Sequence, residues 1–154
     1  MLCNVGLFVS HSGHHKHSYY VIRNSQHLMG FTDQEIELIA QVARYHRKSQ
    51  PAEHKHPEFA ALDERNRARV RAMAGLLRVA IGFDRNHDGA DDHADVTTSD
   101  AGVEMDPVPD DQSSDLSLER YSADSRSGLL ATCLGLPVGV SPVGSPDQAA
   151  DPGP

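Results

Sequence analysis

The chain has 154 residues, with 14 Lys and Arg against 22 Asp and Glu and 38% apolar residues, which suits one domain and at most a small second one. Only two cysteines occur, Cys3 and Cys133, which excludes a disulfide framework or a zinc ribbon and makes a reducing, cytoplasmic setting the default. No basic n-region with an apolar core opens the chain, and the longest apolar-leaning stretch, 128–140, is too short for a bilayer and broken by Gly and Pro, so the chain reads as soluble.

The mild net acidity hides two unlike halves. Residues 1–87 carry 12 Lys and Arg against 8 acids, and residues 88–154 carry 2 against 14. Nine of the ten histidines also fall before residue 88. A basic, imidazole-rich half suits an anionic ligand such as phosphate or a nucleotide, although a solvated basic surface has the same composition.

In chain order, the apolar run MLCNVGLFV reads as the end of a buried element. A histidine cluster follows, His11, His14, His15 and His17, read as a polar helix-entry loop. Partial helical spacing is predicted from Ser18 to Met29, with Gly30 as a stop. Thr32-Asp-Gln-Glu35 is a capping box. Ile36, Ile39, Ala40 and Ala43 form one face of the helix behind it, and His46 continues that face toward the interior. Asp63 is an N-cap for a third helix to about Phe83, whose stripe Val70, Met73, Ala74, Leu77 and Ile81 reads as core. Arg65, Arg67, Arg69 and Arg71 read as its solvated face.

Beyond Arg85 the chain is rich in Asp, Ser, Pro and Gly and poor in large apolar residues. Disorder is expected there, because little surface is available to offset chain entropy. Asp84-Arg-Asn-His-Asp-Gly-Ala-Asp-Asp superficially suits an EF-hand, but residue 95 is Asp and no apolar helix follows.

Four blocks carry a family resemblance: HSGHHKHSYYVIRNS, GFTDQEIELIAQVARYHRKSQP, HPEFAAL and LLRVAIGFDRNH. Together, in this order, they closely resemble the C-terminal HD-like helical domain of Ppx/GppA phosphatases, the exopolyphosphatases and guanosine pentaphosphate phosphohydrolases. The resemblance covers residues 1–87 and nothing beyond. It implies a phosphate-anhydride hydrolase using a divalent cation such as magnesium, with the hydrolytic site in actin-like domains that this chain lacks. It also implies a helical domain that holds polyanionic substrate and forms dimers. The chain departs from the pattern at Cys3-Asn4, where the family reads His-Asp, and at Ile81, where it reads Asp. Losing these groups should remove most of an HD metal site, which needs carboxylate and imidazole together.

The expected fold class is all-α: a partial HD-like helical bundle over 1–87, followed by a largely disordered acidic tail over 88–154. The expected function is that of a fragment or degenerate copy of an exopolyphosphatase/pppGpp phosphohydrolase, binding polyphosphate or guanosine polyphosphate and not catalytic alone. Lys16, Arg23, Arg44, His46, Arg47 and Lys48 are the expected polyphosphate contacts, and His14, His15 and His17 add polar or phosphate contacts. No metal ligand or cofactor is expected in this chain, nor membrane or nucleic acid, while a homodimer is possible. Two alternatives are a stand-alone HD-type metal-dependent phosphohydrolase with altered ligands and a non-enzymatic polyanion-binding module.

Overall fold

The structure, a computed structural model, describes residues 1–84, 91–109 and 115–140. A 3₁₀ helix spans Leu2–Phe8. It is followed by α1 (His14–Arg23), α2 (Asp33–Arg44), the one-turn α3 (Pro57–Ala60) and the long α4 (Glu64–Phe83). A hairpin of β1 (Asp91–Ser99) and β2 (Gly102–Pro109) comes next, then α5 (Ser117–Asp124), α6 (Gly128–Leu134) and β3 (Val138–Val140). Among the described residues, no helix is long and apolar enough to cross a membrane.

The local signals act as their chemistry requires. The Thr32 hydroxyl accepts from the Glu35 backbone N–H at 3.3 Å, and the Glu35 carboxylate takes the Thr32 N–H at 2.8 Å, which closes the capping box at the head of α2. Asp63 caps α4 by accepting from the Asn66 N–H at 2.7 Å. The first helix differs from its expected bounds. It begins at His14, inside the histidine cluster, and ends at Arg23, so His14, His15 and His17 are helical residues rather than loop residues. The apolar opening run is buried only at Cys3 and Gly6; Phe8 is 98% exposed.

α4 is the axis of the core. Val70 and Ala74 pack with Tyr45, Phe59 and Leu129. Leu77 and Ile81 lie against Cys3, Ile22, Ala40 and Ala43. Met73, expected on the core stripe, is 48% exposed.

The rest of α4 corrects the expectation of a purely all-α fold: the described residues are helix-rich but include a small sheet drawn from beyond residue 87. Val79 joins a cluster with Val103, Met105, Ala123, Leu130, Val138 and Val140, all from beyond residue 87. Three strands form one sheet, with β1–β2 antiparallel and β2–β3 parallel, Val103 opposite Val138 and Met105 opposite Val140. Close approach makes this docking possible. A Cβ on Gly82 would stand 2.4 Å from the Ala123 Cα, and one on Gly75 would stand 2.9 Å from the Leu130 backbone N. Gly75 and Gly82 share one face of α4, two turns apart, and α5 and α6 settle into it. Of the tail's few apolar side chains, Val103, Met105, Ala123, Leu130, Val138 and Val140 converge on the cluster around Val79. The expectation for residues 85–90, 110–114 and 141–154, including most of the EF-hand-like segment, lies outside the described residues.

Candidate anion-binding cleft

A cleft of about 640 Å³ opens where four parts of the fold meet. The 3₁₀ helix and α1 supply Asn4 and His14, and the turn after α2 supplies His46, Arg47, Lys48 and Gln50. α4 supplies Arg78 and Ile81, and the α5–α6 junction supplies Ser125, Arg126, Gly128 and Leu129. Among the described residues, its lining holds four Lys and Arg and no acid.

Two histidines meet at its wall. His14 Nε2 and His46 Nε2 are 3.2 Å apart, with ring centroids at 5.2 Å. His46 Nδ1 lies 2.6 Å from the Ala43 carbonyl oxygen. A carbonyl can only accept, so Nδ1 carries the proton and Nε2 is the acceptor, a tautomer assigned from the bonding partners. The His14 Nε2 must then donate. Its Nδ1 lies 3.3 Å from the His11 carbonyl oxygen. His46 is 6% exposed, and burial, opposed in part by its bond to Ala43, pushes its pKa down to about 4. The 3₁₀ helix is latched against α1 nearby: Ser18 Oγ donates to the Cys3 carbonyl at 2.7 Å and accepts from the Gly6 N–H at 2.9 Å.

The turn after α2 is held from below. Arg78 donates from Nε to the Tyr45 carbonyl at 2.8 Å and from Nη2 to the Ser49 carbonyl at 2.5 Å. These two carbonyls bracket His46-Arg47-Lys48, so one side chain ties down both ends of the basic segment. Arg78 is 7% exposed, and burial pushes its pKa down. Among the described residues, none of Arg47, Lys48 and Arg78 meets a carboxylate. Arg126 bonds the Ser122 hydroxyl from the opposite wall.

The cleft thus contains His14, His46, Arg47 and Lys48 of the residues singled out in the sequence. The others lie elsewhere. Arg23 pairs with Asp33 and Glu37, each at 2.8 Å. Arg44 pairs with Glu58 at 3.2 Å and stacks over the Tyr19 and Tyr45 rings. Lys16 is exposed on α1. His15 has a buried Nδ1 without a partner among the described residues, and burial, with His14 and Arg47 nearby, lowers its pKa. His17 is half-buried on α1, outside the cleft. Sequence inspection missed Asn4, Gln50, Arg78 and Arg126 as cleft residues. Arg78 flanks the apolar stripe of α4, four residues after Ala74 and three before Ile81, and its burial depends on the turn after α2.

The donor set does not fit a hard divalent cation. Magnesium takes oxygen ligands, chiefly carboxylates, with water. Here the two closest imidazole nitrogens bond each other, and the neutral Asn4 and Ile81 share the cleft with them. Among the described residues, no three His, Cys, Asp or Glu side chains are arranged to hold a metal. Cys3 is buried as a free thiol, and burial raises its pKa.

Fold and cleft together define a helix-rich module with a small sheet and a basic cleft whose lining holds no acid among the described residues. The family model for Ppx/GppA phosphatase, domain III, matches residues 1–121. The chain belongs to the Ppx/GppA phosphatase family, a hydrolase family that includes exopolyphosphatases. The match runs past residue 87, through both strands of the hairpin and into α5, which corrects the narrower extent read from the sequence.

Proposed function

We propose that this chain is a polyanion-binding module of a Ppx/GppA phosphatase, a fragment or degenerate copy that holds polyphosphate or a guanosine polyphosphate at the cleft. The single observation that carries this is a concave lining with four Lys and Arg and no acid among the described residues. Arg47 and Lys48 supply the fixed charge for chain phosphates, Arg through bidentate donors and Lys as a point charge. His14 adds a donor, His46 orients it, and Lys16 extends the basic surface along α1. Arg23 and Arg44 are already neutralised by acids and brace α1, α2 and α3 instead. No divalent-cation chemistry is routed through this cleft, so bond cleavage is assigned to parts of the family architecture other than these residues.

The test is titration of the purified chain with long-chain polyphosphate at several chloride concentrations. Binding that weakens with salt, and that falls in an Arg47→Gln/Lys48→Gln double variant, is the expected result. Binding indifferent to both substitutions rejects the assignment. Phosphate release in the presence of magnesium, abolished by His46→Ala, would reject the non-catalytic role.

A further inference from the structure

We infer that Arg78 anchors a subsite selective for the doubly charged end of a phosphate chain, a terminal phosphoryl group or inorganic phosphate, rather than for its interior. The inference deepens the polyanion assignment and rests on it for the ligand class.

A guanidinium that is 7% exposed is costly to keep charged unless an anion compensates it. Proteins usually supply a carboxylate. Arg78 has none among the described residues, and its two bonds go to the carbonyls of Tyr45 and Ser49. Among the described residues Nη1 makes no hydrogen bond, and the side chain lines the cleft. Carbonyl dipoles hold the group in place but do not cancel its charge. Arg47 and Lys48 stand in the same lining with no carboxylate partner among the described residues, and the His14 and His46 rings meet in it. This is the inventory of a site completed by an external anion.

Position decides which part of an anion reaches it. Arg47 and Lys48 are exposed and can follow a chain lying across the cleft. A nearly wholly buried guanidinium is reached by a narrow end. An interior phosphate of a linear chain carries one negative charge and two bridging oxygens. A terminal phosphoryl group carries roughly −1.5 to −2 at neutral pH, as a phosphomonoester does, and offers three free oxygens. The Nη1 N–H groups can donate to those free oxygens, and a charge-assisted bond of this kind strengthens with the charge on the acceptor.

Linear tripolyphosphate, which has two ends, and cyclic trimetaphosphate, which has none, separate the two modes. The intact chain is expected to bind the linear ion at least tenfold more tightly than the cyclic one, and to bind inorganic phosphate measurably. Arg78→Gln should abolish that preference. Arg47→Gln/Lys48→Gln should weaken both trimers and leave their ratio unchanged. If Arg78 only braces the basic turn, its substitution will weaken both ions in proportion, and the inference is overturned. Where Arg78→Gln does not fold, the guanidinium ¹⁵N signals of Arg78 in the unmodified chain decide: saturable shifts with tripolyphosphate support the anchor, and unmoved signals overturn it. Long-chain binding without a linear-over-cyclic preference removes this inference and leaves the polyanion assignment standing. No binding of any phosphate removes both.

Discussion

Arg23 and Arg44, at the two ends of the α1–α2 pair, and Arg47 with Lys48, in the turn just past α2, look alike in the sequence. The fold treats them oppositely. The first two meet Asp33, Glu37 and Glu58 within 3.2 Å. The second two meet no carboxylate among the described residues and face a cleft without one. What makes a binding site is the absence of compensation after folding, and density of positive charge along the chain does not report it. A few residues of separation decide whether a cation stabilises the scaffold or remains available to a ligand.

The largest effect should come from removing one wall of the cleft while leaving the ion-paired side untouched. Gly82→Val places side-chain atoms where Ala123 already stands, and overpacking of this kind is expected to cost about 3 kcal/mol. Denaturant unfolding should show the loss, and polyphosphate affinity should fall with it as α5 and Arg126 shift. Unchanged stability would mean that α5 does not seat there.

Acid should weaken the cleft side next. The folded pKa of His46 is depressed to about 4 from 6.5, so above pH 6.5 neither folded nor unfolded chain is protonated there and no stability depends on it. As pH falls from 6.5 toward 4, the unfolded chain takes the proton first and stability drops, by about 3 kcal/mol in all. Below about pH 4 this contribution is flat. The unfolding free energy of His46→Gln should lack that slope; an identical pH profile would show that His46 does not titrate as its burial implies.

The comparison itself is sharpened by paired double variants. Arg47→Gln/Lys48→Gln should lower polyphosphate affinity about tenfold, roughly 1.4 kcal/mol, with a shallower salt dependence. Arg23→Gln/Arg44→Gln should change affinity less than about twofold, since its effect is on exposed or half-exposed ion pairs of small stability value. Equal losses in the two variants would erase the distinction. The smallest expected effect is Thr32→Ala, about 1 kcal/mol of stability from the lost cap with no change in binding.

How far each element could be read from the chain depended on the range of the interaction that makes it. The capping box and the Asp63 cap are contacts between residues three apart, so α2 and α4 were legible almost to their ends. The inward turn of His46 followed from helical spacing. The start of α1 was not legible, because His14, His15 and Lys16 offer no apolar periodicity; the helix there is secured by the Gly6–Ser18–Cys3 latch to a segment twelve to fifteen residues away. The sheet was missed for a related reason. Val103, Met105, Val138 and Val140 are too few to announce a core, and their burial depends on a glycine face in α4 that counts as a weakness until its partner is known.

By itself the sequence determined the helices that cap and pattern themselves, the basic first half, and the family to which the chain belongs. Each is encoded within a short window or in residue identity alone. Only the tertiary structure decided which cations are neutralised, that His14 and His46 share a proton-bearing contact, and that Arg78, far down the chain in α4, lies beneath Arg47 and Lys48. Those are relations between distant segments, and electrostatic compensation is settled by separation in space and by access to water, neither of which the linear order of residues carries.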